Sequence, residues 1–394
     1  MSSTDALRQF RYLAIAALVG LACFTFVLVS PRAWWSAPPA ASQARQDIQA
    51  PAVSLSTFDG ESARLAQTMI VPTLDTPIPD GKSVIWCSAF VFAWREMIKE
   101  VVKEPIQVQN AEIVAQRLNE AKESQEDVAP GTSYAAAGRI RETLDKIKTD
   151  MTRLFPNVRL PSLLKEEEDR VLVAYAYLQA NVKFKHLFID NDQPLTFTDS
   201  RGKRTAVHTF GIRPEDTNRD PYLTSFRGQV RILWQDHEKD EFAIDLCAES
   251  APNQIVVAKL PRQATLSKTL TDLLAKTHHL QTSQGSKLHV EDSLLVPNQQ
   301  WSIQHHFLEL EGHDKLLLNP SLRGLYVGTA YQDIQFKLDR TGAELASNAV
   351  VFFNNGGPQR YHFDKPFLIV MKKRDAERPF FVMWVDNAEL LSKM

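Results

Sequence analysis

The sequence predicts an α+β fold: a multi-sheet and helix domain over residues 51–394 with one exposed loop near its end, preceded by one N-terminal transmembrane helix. Three observations predict it. Residues 12–30 carry no charge and are almost wholly apolar or small. Apolar residues recur at helical spacing through the first half of the chain. Short β-branched and aromatic runs, bounded by polar turns, recur through the second half.

Length and composition set the frame. The 394 residues suffice for one large domain or two medium ones. A hydrophobic share of 44% with 23% charge is that of a globular body. The formal net charge is −2 with both signs mixed along the chain, so no nucleic-acid partner is expected. No Gly-x-Ser-x-Gly elbow, P-loop or His-Glu-x-x-His run is present, so the chain is not expected to be an enzyme or to need a cofactor. His305, His306 and Glu309 could share one helix face. A solvated face is the favoured reading there, and no metal is expected.

Cys23 lies in the N-terminal apolar run, and Cys87 and Cys247 lie in the body. A Cys87–Cys247 disulfide stays open at this point. The apolar neighbours Ile85, Trp86, Ile244 and Leu246 favour two buried free thiols.

The run at 12–30 meets the length of a membrane span. Arg8 and Arg11 precede it, which favours a cytoplasmic tail at 1–11 and a body on the extracytoplasmic side. Residues 31–50, rich in Ala, Ser and Pro, read as a flexible linker. A signal-peptidase cut there is the alternative to an uncleaved, single-pass anchor.

The body follows in order. A short helix is expected near 61–69, and a buried start over 84–94 leads into another. Asn110 can cap a helix over 111–122 with Ile113, Val114 and Leu118 on its core face. A longer helix is expected over 134–155, with Ile140, Leu144, Ile147, Met151 and Leu154 inward. Residues 170–184 read as a long buried strand, and 194–198 with 205–210 as a hairpin. Strands at 230–234, 242–247 and 255–260 precede a helix at 266–274. Residues 295–297 and then 301–310 resemble a strand and the helix after it in the family named below. Residues 335–338 alternate as a strand, and 367–371 with 380–385 form a buried hairpin. Before that hairpin runs a loop of about two dozen residues, a length that is usually functional or disordered.

Gly342, Ala343, Glu344, Leu345, Ala346 and Ser347, then Phe363, Pro366 and Phe367, resemble the hinge and closing strand of a serpin. Residues 83–90 resemble the segment opening the serpin central helix, and Leu172, Val173, Tyr175 and Tyr177 resemble a strand of its main sheet. The resemblance covers about residues 82–390 and rests on order and apolar frame.

The resemblance implies a reactive-loop equivalent at about 343–362, with a scissile region near Asn355, Gly356 and Gly357. Ala343, Leu345, Ser347, Ala349 and Val351 would share one face of that loop if it extended. Cys87, Phe90, Ala174 and Gln332 stand where the family has its polar shutter, and Val182 where it has a tryptophan at the point of first insertion. The implied function is a membrane-tethered inhibitor of a serine-type protease. The alternative is a non-inhibitory binding or scaffold protein of the same fold, whose partner is another protein.

Overall fold

The computed structural model describes residues 58–156, 172–179, 182–214, 227–277, 286–341 and 358–394. All of these belong to the unit Ser54–Met394; the unit Met1–Val53 lies outside them, and with it the expected tail, membrane span and linker. Among the described residues no helix is long and apolar enough to cross a membrane.

Strands β1 (Phe58–Glu61), β2 (Thr68–Ile70) and β3 (Ser83–Cys87) come first. The helix expected near 61–69 is a single 3-10 turn, Ser62–Arg64, because the residues after it pair in parallel with β3. Helix α1 (Ala89–Met97) follows and is buried from Ala89 to Trp94. A helix apolar on every side belongs inside a fold. It runs into one π turn, Ile98–Val102, that ends where Lys103 takes a left-handed φ of 64°.

Helix α2 (Glu112–Glu120) buries Ala115 and Leu118, one helical stripe. Ile113 lies off that stripe and is 67% exposed, against expectation. Asn110 does not cap this helix through its side chain; Ala111 holds the cap position.

The helix expected over 134–155 is two elements, strand β4 (Ser133–Arg139) and helix α3 (Ile140–Leu154). Tyr134 and three alanines have helical neighbours in sequence, but their backbone pairs with β5 (Leu172–Leu178) from Ser133↔Leu178 to Arg139↔Leu172. Tertiary pairing overrides local propensity here. Leu144, Ile147 and Met151 face inward as expected, while Leu154 is 42% exposed. Strand β5 is shorter than the expected 170–184 run and half-buried throughout; among the described residues it pairs with β4 alone.

The remaining strands are β6 (Ile189–Thr198), β7 (Arg204–Ile212), β8 (Arg231–Asp236), β9 (Glu241–Asp245) and β10 (Asn253–Lys259). Helix α4 (Leu266–Thr277) precedes β11 (Ser286–Lys287), β12 (Ser293–Pro297), β13 (Gln299–His306) and β14 (Tyr331–Leu338). The chain closes with β15 (Arg360–His362), β16 (Phe367–Lys373) and β17 (Pro379–Val385). The helix expected within 301–310 is replaced by β13: Trp301 and Ile303 are buried between half-buried Ser302 and Gln304, a period of two.

These strands form an eight-stranded sheet in the order β11-β8-β9-β10-β16-β17-β3-β2 and a four-stranded sheet β15-β12-β7-β6. A three-stranded sheet β1-β13-β14 and the ribbon β4-β5 complete the set. The expected closing hairpin is β16–β17, which sits in the middle of the large sheet between β10 and β3. The three-stranded sheet packs on it through Phe336, whose ring stacks on Phe381 at 4.8 Å and 15°. In the four-stranded sheet β7 approaches β12 so closely that a Cβ on Gly211 would lie 1.8 Å from the Leu294 carbonyl oxygen.

Candidate functional site

Strand β14 pairs with β13 on one side, and β5 with β4 on one side. Among the described residues the other edge of each strand has no strand partner. Both strands rest on α1. They come close enough to feel each other: burial first, then the hydroxyl of Tyr177 and the carboxylate of Asp333 on β14, push the Tyr175 hydroxyl up. An unpaired strand edge is a row of unused backbone donors and acceptors, ready to accept another strand.

The edges differ in support. On β14, Gln332, Ile334, Phe336 and Leu338 point into the core, and Asp333, Gln335 and Lys337 point out. On β5, Leu172, Ala176 and Leu178 pack on the main core, while Tyr175 and Tyr177 pack against Tyr134, Ile147, Met151 and Phe155 beneath α3.

Of the residues singled out by sequence, Cys87 and Gln332 meet. The Gln332 side-chain nitrogen donates to the Cys87 carbonyl oxygen at 3.3 Å, and both residues are buried. Phe90 lies in α1 with its ring 4.3 Å from that of Phe307. Ala174 is half-buried on β5, opposite Ala137. Val182 lies apart from these and lines a cavity of about 620 Å³ beside β13 and β14. The hinge residues Gly342, Ala343, Glu344, Leu345, Ala346 and Ser347, and the scissile candidates Asn355, Gly356 and Gly357, lie outside the described residues.

Both body cysteines are free and buried, which closes the disulfide question. Burial pushes the Cys87 thiol up to about 11, so it stays protonated and a poor nucleophile.

His305 belongs to this region, although helical spacing hid it. It stands on β13 opposite Gln332, and its Nδ1 is 2.7 Å from the Ser62 hydroxyl. Burial, then the charge of His306, pushes it down to about 4. The buried Nε2 of His305, Oε1 of Gln332 and Oγ of Ser88 have no hydrogen-bond partner among the described residues. The alternation Trp301, Ile303, His305 carried the signal for this inward imidazole. His306 instead pairs with Glu311 at 2.8 Å, and Glu309 lies beyond the strand, so the helix-face grouping of the three does not form. Among the described residues no group of His, Cys, Asp and Glu could hold a metal ion.

One further pair resembles catalytic machinery. The Ser293 hydroxyl is 2.8 Å from His362 Nε2. The other ring nitrogen faces the Arg360 guanidinium at 3.4 Å rather than a carboxylate. Burial, then Arg360, pushes His362 down to about 4, and Ser293 is buried within β12. A general base needs the opposite surroundings.

No family profile matches this sequence, and no curated protein matches it. Solved structures do. Mouse protein-Z dependent protease inhibitor aligns with 77% of this chain and 91% of its own at 10% identity and a TM-score of 0.46. Serpin48 of the insect Tenebrio molitor aligns over 72% of each chain at 12% identity and a TM-score of 0.38. Thyroxine-binding globulin in complex with thyroxine aligns with 63% of this chain at 14% identity and a TM-score of 0.39, and the match spans 65% of that protein.

Proposed function

We propose that this chain is a membrane-tethered, serpin-like protein that acts outside the cytoplasm on a serine-type protease through the loop at about 343–362. The observation that carries the reading is the pair of strands β5 and β14, resting on one helix and each, among the described residues, with one edge unpaired. The proposed loop follows β14 directly in sequence and leads into β15. Cut at its far end, it would be free to extend as a strand and to pair with both edges. Such a rearrangement draws on strain held in the uncut state.

A second reading is favoured by the apolar surroundings of α1. Switching a sheet between closed and opened forms exchanges one set of hydrogen bonds for another. Here the residues equivalent to the shutter include Cys87 and Phe90, and the hydrogen bond described among them is the one from Gln332 to the Cys87 backbone. On that reading the protein binds a partner without trapping a protease.

Thermal unfolding before and after a single cut near Gly356 separates the two. Inhibition by insertion raises the melting temperature of the cut form and yields a covalent protease complex that survives denaturant. An unchanged or lowered melting temperature, with full protease turnover, removes the inhibitor reading. The anchor is tested separately: the chain should stay with membranes through a high-salt wash, and a soluble form starting near residue 45 overturns that part.

A further inference from the structure

Residues 107–109, 315–318 and 325–327 lie side by side. The Gln109 N–H donates to the Leu316 carbonyl oxygen at 2.8 Å, and the Leu318 N–H to that of Gln107 at 2.9 Å. On the other side the Leu317 N–H donates to the Leu325 carbonyl oxygen at 2.9 Å, and the Val327 N–H to that of Lys315 at 3.1 Å. Side chains alternate between the two faces of such a ladder. Val108 stands opposite Leu317 and is buried, and Leu317, Leu325 and Val327 pack on the core. Leu316 stands opposite Tyr326, so the outward face holds Gln107, Gln109, Leu316, Leu318 and Tyr326. None of the five carries a charge, and Leu316, Leu318 and Tyr326 are 37%, 46% and 38% exposed. A face without charge that offers aliphatic and aromatic area has the make-up of an interface core.

Charge sits at the two ends of this face and differs in sign. Where 319–323 turns, Arg323 and Lys103 are exposed, while the exposed Glu104 accepts from the Asn319 side-chain nitrogen at 3.0 Å. At the other end Asp314 and Glu112 are exposed, and Lys315 is mostly covered, its ammonium donating to the Asn110 carbonyl oxygen at 2.9 Å. The first end therefore has an excess of positive charge and the second an excess of negative charge.

We infer that this face pairs with the same face of a second copy of the chain. A two-fold axis through its centre lays Arg323 of one protomer against Asp314 of its partner, twice, with Leu316, Leu318 and Tyr326 covered between them. Ends of opposite sign suit that pairing, whereas an anionic lipid surface would be repelled by Asp314, Glu112 and Glu104. Five side chains and their charged ends fall short of the roughly 20–30 residues a side of a standard complex, so the dimer is weak, with a dissociation constant on the order of tens of micromolar. The inference stands apart from protease inhibition, since it uses neither the loop nor the edges of β5 and β14.

The experiment is sedimentation of the full chain in mild detergent from about 5 to about 300 µM, a range that brackets such an affinity. The native chain should pass from monomer to dimer across it. Leu318→Glu, checked for an unshifted melting temperature, should weaken association at least tenfold. Arg323→Glu turns two attractions into two repulsions and should weaken it about tenfold. Adding Asp314→Arg to Arg323→Glu should bring it back to within about threefold of the native chain. Should Leu318→Glu fail to fold, the charge exchange decides alone. A native chain that stays monomeric throughout, a dimer untouched by folded Leu318→Glu, or a double exchange no better than Arg323→Glu would each overturn the inference. So would a monomeric chain that floats with phosphatidylcholine vesicles and loses that binding in Leu318→Glu, which would assign the face to lipid.

Discussion

Gln332 on β14 donates its side-chain amide to the backbone carbonyl of Cys87 at 3.3 Å, which ties a free-edged strand to the turn that starts α1. Its own carbonyl oxygen, buried beside that bond, has no partner among the described residues. The two effects oppose each other. Losing the bond costs about 1 kcal/mol, and relieving an orphaned buried acceptor returns a comparable amount. Gln332→Leu is therefore expected to change the urea midpoint by less than about 1 kcal/mol of stability, whereas Gln332→Ala leaves a void and costs about 2 kcal/mol. A large loss in the leucine variant would show that the amide bond dominates.

Acid should weaken the fold over a defined window. His305 and His362 are both pushed down to about 4 inside the protein. An unfolded chain takes up those protons near pH 6.5. Between about pH 6.5 and 4 the unfolded state therefore binds more protons, and stability falls as pH falls. The stability is fully present above that window and lost below it, on the order of 3 kcal/mol at most for His305. His305→Gln keeps a partner for Ser62 and removes the titration. Denaturant unfolding at pH 7 and pH 5 should show a smaller drop in that variant than in the native chain.

Gly211→Ala should damage the four-stranded sheet. The added carbon would fall 1.8 Å from the Leu294 carbonyl oxygen, a backbone atom that cannot swing aside. Strands β7 and β12 would have to part, at a cost of about 3 kcal/mol or more. Amide exchange localised to β7 and β12 is the check, and native protection there would contradict the packing.

The body thiols should be silent. In a Cys23→Ser chain, a disulfide-exchange reagent should label neither Cys87 nor Cys247 until the protein unfolds, and both afterwards. Reducing agent should leave the melting temperature unchanged, since no bridge joins them. Rapid labelling of Cys87 in the native state would contradict a thiol raised to about 11.

Sequence reading did best where an element is buried on both faces or bounded by clear turns. The hairpin β16–β17 and the strands β8 to β10 stand where apolar runs placed them, and β6–β7 meets at the turn expected over 199–202, with β6 starting earlier, at Ile189. It did worst where alternation mimics a helix. Tyr134 to Ala137 continues the helical stripe of Leu144 and Ile147, and only the pairing with β5 makes it a strand. The helix expected within 301–310 came from the family resemblance; pairing with β14 makes Trp301 to His306 a strand. Of the candidate site, Cys87 and Gln332 were singled out by resemblance, and the hydrogen bond between them is what the structure adds. The inward His305 was not legible, because its strand had been read with the wrong period.

The placement of β16–β17 bears on how the protein is made. This hairpin follows β3 in sequence by some 280 residues, yet β10 on one side and β3 on the other reach the same sheet only through it. Until β17 has been made, the early strand β3 waits with apolar Val84, Ile85 and Trp86 uncovered on its unpaired side. Pairings of such long sequence separation form slowly and expose the nascent chain to aggregation. A premature stop after β15 would therefore remove more than a tail. It would leave two half-sheets with no shared strand, and the cell would treat the product as an unfolded chain.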